Sequence, residues 1–184
     1  NNSGAILLEA KYSSAHPWPA AADGAGHSLI LLRPDYGEDD IRAWAASSVM
    51  GGTPNLPDMH VSHGFEGLVI NEFLAHTDPP LQDSIELFNA NNTSMDLSGC
   101  WLSDSASVNK FRIPDGTIIG PRAFLVYSNE LGFALSLKGG SIYLVSSNQA
   151  TVIDGLQYAA QANAVSSGRY PDGMPDVQSL SART

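Results

Sequence analysis

Residues 68–75 (LVINEFLA) and 84–90 (SIELFNA) decide the fold. Ser84-Ile85-Glu86-Leu87-Phe88-Asn89 alternates, with Ile85, Leu87 and Asn89 on one face and Glu86 and Phe88 on the other, the period of a strand. Asn91-Asn92 then marks a turn. From there to residue 173 the chain reads as further short strands with turn residues between them. A bulge at Gly99 would bring Cys100 and Leu102 onto the core face and point Trp101 away from it. Residues 110–113 are a short strand stopped by Pro114, and Asp115-Gly116 is a turn pair. Ile118, Phe124 and Val126 continue the apolar rhythm around Gly120-Pro121. A hairpin is expected from residues 133–137 and 142–145 around Lys138-Gly139-Gly140-Ser141, and another strand over residues 152–158. No long 3.6-residue period interrupts the series, which predicts an all-β sandwich.

Residues 1–57 differ. Strands are expected at 5–12 and 27–32, a short helical turn at 40–45 capped by Asp39 or Asp40, and a loop at 51–57. A strand ending in Tyr12, then Ala22-Asp23-Gly24, echoes the strand ending in Tyr158, then Pro171-Asp172-Gly173. Residues 1–57 therefore read as the closing segment of a preceding similar domain or as an N-terminal extension. Residues 58–67 read as a linker and 68–184 as the complete domain.

Several phrases carry a resemblance when taken in order. They are Ile70-Asn71-Glu72-Phe73, Ser84-Ile85-Glu86-Leu87-Phe88-Asn89, Asp96-Leu97-Ser98-Gly99, Leu102-Ser103-Asp104, Ile113-Pro114-Asp115-Gly116-Thr117 and Gly168-Arg169-Tyr170-Pro171-Asp172-Gly173. Together they resemble the immunoglobulin-like lamin tail domain in its bacterial, secreted-protein form. Trp18-Pro19, Trp44-Ala45-Ala46-Ser47 and Gly51-Gly52-Thr53-Pro54 are similar to the closing segment of such domains. Cys100 departs from the pattern, standing where a large aromatic usually follows Leu-Ser-Gly. The resemblance implies an immunoglobulin-like β-sandwich with an appended β-rich N-terminal segment. It further implies a non-catalytic structural or interaction module in a larger secreted or cell-surface bacterial protein. A protein partner, or neighbouring domains of the same polypeptide, would be what it contacts. The alternative is a carbohydrate- or calcium-binding accessory domain that targets a neighbouring enzyme, with a glycan as partner.

Composition narrows this. The 184 residues are 43% hydrophobic, enough for a packed core. Net charge is -10 with nine Lys and Arg, and no basic cluster exists to neutralise phosphates, so nucleic acid is not an expected partner. No apolar run approaches the roughly 18–20 residues of a membrane helix, so membrane insertion is not expected. One cysteine, Cys100, excludes an internal disulfide and reads as a buried small hydrophobe.

The candidates for chemistry are few. Asp35, Glu38, Asp39 and Asp40 form an acidic loop, but their spacing misses the EF-hand pattern. Of the five histidines, His16, His27, His60, His63 and His76, the pair His60 and His63 makes a loose H-x-x-H with Asp58 and Glu66 nearby but has no cysteine partners for a zinc site. Glu72 and Glu86 lie on neighbouring strands and are expected to be structural, with Arg169 as the cation that pairs with them. Trp18, Trp44 and Trp101 could line a sugar-binding face, with Trp101 either solvent-facing or covered by residues 1–57. Asn91-Asn92-Thr93 and Asn92-Thr93-Ser94 match glycosylation sequons that a bacterial origin would make irrelevant. No nucleophile–base pair or phosphate loop is present, so no enzyme, cofactor, metal or catalytic residue is assigned.

Overall fold

A computed structural model describes residues 9–13, 18–58 and 64–180. The strands are β1 (Leu29–Leu31), β2 (Trp44–Ala46), β3 (Leu68–Leu74), β4 (Ser84–Asn89), β5 (Met95–Asp96), β6 (Trp101–Ser103) and β7 (Phe111–Arg112). They continue as β8 (Ile118–Ile119), β9 (Phe124–Tyr127), β10 (Gly139–Val145), β11 (Val152–Ala159), β12 (Ser167–Arg169) and β13 (Val177–Ser179). β1-β2 and β5-β8 form two-stranded sheets, and the two larger sheets have the orders β13-β12-β3-β4-β9 and β11-β10-β6-β7, all pairings antiparallel. Between them lies one core, with Ile70 and Phe73 from β3, Ile85 and Leu87 from β4, Leu102 from β6, and Ile142 and Leu144 from β10. The protein is therefore an all-β, immunoglobulin-like sandwich. Among the described residues no helix is long and apolar enough to cross a membrane.

The expected strands at 68–75, 84–90, 110–113 and 152–158 appear within a residue or two of their bounds. Both faces of β4 are buried, so its alternation separates two buried environments rather than core from water. Cys100 and Leu102 reach the core as expected. They do so through a turn at Ser98-Gly99, closed by the Cys100 N–H on the Leu97 carbonyl, and not through a bulge. Ile118, Phe124 and Val126 keep the rhythm but face outward, while Ile119 and Tyr127 turn inward.

The expected hairpin around residues 138–141 does not form. β10 begins at Gly139 and pairs with β11, so the hairpin turn lies over residues 146–151 instead. Gly139 and Gly140 are glycines because β11 comes so close. A Cβ on Gly139 would sit 2.7 Å from the Tyr158 carbonyl oxygen. Residues 133–137 form no strand, and the Leu135 N–H is held by the Asp83 carboxylate at 2.7 Å.

In the N-terminal segment the expected strand at 5–12 is not found where it can be checked. Residues 9–13 carry no strand, and residues 5–8 lie outside the described residues. The strand expected at 27–32 is β1, which pairs with β2. The helical turn is a 3₁₀ turn, Ile41–Ala43, and the Asp40 carboxylate caps it by accepting the Arg42 N–H.

This segment packs on the outer side of β10 and β11. Ala20, Ala21 and Ala25 form a second apolar cluster with Tyr143, Val145 and Val152, and Trp101 and Met50 pack against it. Trp101 is thus half-buried under the N-terminal segment and not solvent-facing. The approach is close: a Cβ on Gly155 would meet the Ala20 methyl at 3.3 Å and the Tyr143 ring at 3.2 Å. Hydrogen bonds fasten the rim, from the Met50 N–H to the Ala150 carbonyl at 2.9 Å and from the Thr151 hydroxyl to the Ser48 carbonyl at 3.2 Å.

Candidate functional site

His27 stands at the centre of this contact, and both ring nitrogens are engaged. Nδ1 lies 2.6 Å from the Ser47 carbonyl, which can only accept, so Nδ1 carries the proton. Nε2 accepts the Val152 N–H at 2.9 Å, which fixes the neutral ring in one tautomer. An imidazole bound at both ends to main chain is a buried joint between two parts of the fold. His76 also serves the backbone, its Nδ1 2.8 Å from the Gln161 carbonyl. His16, His60 and His63 lie outside the described residues.

Arg169 does not pair with Glu72 or Glu86. Its guanidinium meets Asp154 of β11, with Nη2 2.9 Å from Oδ2 and 3.1 Å from Oδ1. Nε donates to the Ile70 carbonyl at 2.9 Å and Nη1 to the Met174 carbonyl at 3.0 Å. The Ile70 N–H donates to Asp154 at 2.7 Å. Both side chains are nearly buried, at 10% and 15% exposure, so each charge depends on the other. Burial pushes the Asp154 carboxyl up from its ordinary value. The Arg169 guanidinium and the N–H groups of Ile70 and Gly155 oppose that shift by favouring the ionised form. The pair joins β11 to β3 and to the loop after β12.

In the sequence Asp154 is marked only as the one charged residue of its strand. Glu72 and Glu86 instead face each other in register across β3 and β4, both buried. Asn71 organises their surroundings. Its Nδ2 donates to Glu86 and to Asp172, each at 3.0 Å, and its Oδ1 accepts the Gly173 N–H at 3.0 Å. The Pro-Asp-Gly turn is thereby laid against β3. Gly168 must be glycine here, since a Cβ would lie 2.6 Å from the Asn71 carbonyl oxygen. Asn71 and Asp172 sit in the quoted phrases, yet nothing in their local sequence names them as partners.

In the acidic loop Asp40 is likewise committed. Asp40 is held by Arg42 through Nε at 3.0 and 3.1 Å and through Nη2 at 2.5 Å. The hydrogen bonds from Arg42 lower its carboxyl to about 2. Asp35 and Asp39 flank it without forming a cage. Among the described residues no group of three or more His, Cys, Asp or Glu side chains could hold a metal ion. Burial raises the Cys100 thiol, the opposite of what a nucleophile needs.

Two tryptophans of the expected sugar face do come together. The Trp18 and Trp44 rings are 6.4 Å apart at 48°, and Tyr12 meets Trp18 edge-on at 6.4 Å and 76°. The Trp44 indole N–H is fixed on the Glu38 carbonyl at 2.9 Å. Beside Trp18 opens a cleft of about 640 Å³, lined by Tyr12, Trp18, Pro19, Asp23, Ser28 and Leu29 among others. Trp101 is not part of it.

This architecture, an immunoglobulin-like sandwich whose polar residues tie loops and strands together, defines a class of β module. The Lamin Tail Domain family model matches residues 62–166, more than half of the chain, and the protein belongs to that family. No curated protein and no solved structure matches the chain. The family match ends just before Gly168-Arg169, so the Asp154–Arg169 pair joins the matched region to residues beyond it.

Proposed function

We propose that this protein is a non-catalytic interaction module of a larger secreted or cell-surface bacterial protein. Its partner is another protein or neighbouring domains of the same polypeptide. The observation that carries this reading is the use to which reactive side chains are put. His27, His76, Asp83, Glu86, Asp154 and Arg169 each hold backbone or a neighbouring side chain, and Cys100 is a core residue. Immunoglobulin-like lamin tail domains are generally non-catalytic, which agrees.

The surface offered to a partner includes the edge strand β9, where Phe124 and Val126 are 44% and 50% exposed. An edge strand with outward apolar residues is a template for contact with another chain. A photo-crosslinking residue placed at Phe124, in the full-length protein in its parent cell, tests this. Cross-links to a protein, or to the same polypeptide outside these 184 residues, are expected. Cross-linking at Phe124 no greater than at the buried control Leu87 would reject the reading.

A further inference from the structure

The cleft beside Trp18 has features that the interaction-module reading does not use. Its volume of about 640 Å³ lies within the roughly 300–1,000 Å³ typical of small-molecule sites. Tyr12 stands at its mouth, 75% exposed, with its ring nearly perpendicular to that of Trp18. Such a corner offers one ring face and one ring edge to a flat, partly apolar ligand. Tyrosine presents an apolar ring and a polar hydroxyl together, which suits it to a ligand that is apolar on one side and hydrogen-bonding on the other. Trp18 is itself backed by Trp44, whose indole is fixed on main chain, so the tryptophan side of the corner is preorganised.

The polar side of the cleft is supplied by Asp23, Ser13 and Ser28. The Gln157 side-chain amide donates to the Asp23 carboxylate, which sets the carboxylate's position. A carboxylate and hydroxyls accept hydrogen bonds from hydroxyl groups. Among the described residues the lining contains no lysine or arginine, and the chain carries a net charge of -10. An anionic ligand would therefore meet repulsion with no countercharge. A neutral sugar meets these requirements, with flat C–H faces for the aromatic corner, hydroxyl donors for Asp23 and no negative charge.

We propose that this cleft binds a neutral saccharide. One sugar ring stacks at the Tyr12–Trp18 corner, and its hydroxyls donate to Asp23. The site belongs to the docked N-terminal segment and is independent of the β9 edge.

The test is titration of the intact chain with four uncharged tetrasaccharides, of β-1,4-glucose, β-1,4-N-acetylglucosamine, β-1,4-xylose and β-1,4-mannose. Tetragalacturonate is the anionic control, and binding is read by calorimetry and tryptophan emission. Saturable binding of at least one neutral sugar is expected, with a Kd between about 1 µM and 1 mM. Trp18→Ala and Tyr12→Ala should each weaken it tenfold or more, and Asp23→Asn several-fold. Trp101→Phe, outside the cleft, should leave it unchanged. A melt of each variant checks that the fold persists; should Trp18→Ala unfold the chain, Tyr12→Ala at the exposed mouth decides. No saturable binding of any of the four neutral sugars at about 10 mM overturns the proposal. So does binding that survives both aromatic substitutions, or preference for tetragalacturonate.

Discussion

Replacing Asp154 with alanine should be among the most damaging single changes in this protein. It removes the countercharge of Arg169, whose side chain is only 10% exposed, and the acceptor of the Ile70 N–H. An orphaned buried charge costs about 3–5 kcal/mol, and an unsatisfied backbone N–H about 1–3 kcal/mol. The two do not add fully, because the guanidinium still reaches the carbonyls of Ile70 and Met174. A loss of about 4 kcal/mol is the expectation, a large part of the roughly 5–15 kcal/mol that stabilises a typical domain. Urea unfolding followed by tryptophan emission reads it. With a slope near 2 kcal/mol/M, the midpoint falls by about 2 M. The companion is Asp154→Leu combined with Arg169→Met, which removes both charges and keeps apolar volume. That variant should be more stable than Asp154→Ala alone, since no charge is left unpaired. A single variant within about 1 kcal/mol of the parent, or a double variant no better than the single, would show that the buried charge of Arg169 does not depend on Asp154.

Other consequences are as direct. Gly168→Ala drives a methyl to 2.6 Å from the Asn71 carbonyl oxygen and should cost about 1–3 kcal/mol in a denaturant melt. His27→Leu leaves the buried Val152 N–H without its acceptor and should cost about 1–3 kcal/mol, with the 18–58 segment loosened first by limited proteolysis. Cys100, fully buried with its thiol raised by burial, should react with iodoacetamide at pH 8 only at the rate of unfolding. Alkaline pH should destabilise the fold. Burial raises the Tyr158 phenol to about 12, whereas an unfolded tyrosine ionises near 10, so above that pH the unfolded chain binds fewer protons and stability falls. Tyr158→Phe should flatten the decline between about pH 10 and 12, and an unchanged slope would contradict the assignment.

How much the sequence discloses depends on where each constraint comes from. β3 and β4 are legible because runs such as Leu68-Val69-Ile70 and Ile85-Glu86-Leu87-Phe88 carry their own strand signal. The same local logic misplaces the hairpin at Gly139-Gly140. There glycine answers to the Tyr158 carbonyl opposite, not to a turn. Arg169 is recognisable as a charge in need of a partner. Which carboxylate it finds depends on β11 passing beside β3, and that placement is set by the packing of two sheets. Cover for Trp101 by the N-terminal segment is foreseeable from a single exposed aromatic. The two-ended role of His27 is not, because its partners Ser47 and Val152 are brought to it only by the fold. The Tyr12–Trp18–Trp44 group is half visible: the tryptophans stand out, whereas their grouping without Trp101 is a tertiary fact.

His27 ties residues 18–58 to the lamin tail sandwich, and the two are expected to unfold as one unit. Native-state hydrogen exchange of the Val152 and Met50 amides tests it most directly, because the first donates to His27 and the second crosses from the segment to Ala150. Both amides should exchange as slowly as the core amides of β3 and β4, opening only with global unfolding. Fast exchange at Val152 and Met50 with β3 and β4 still protected would mean that the segment opens on its own.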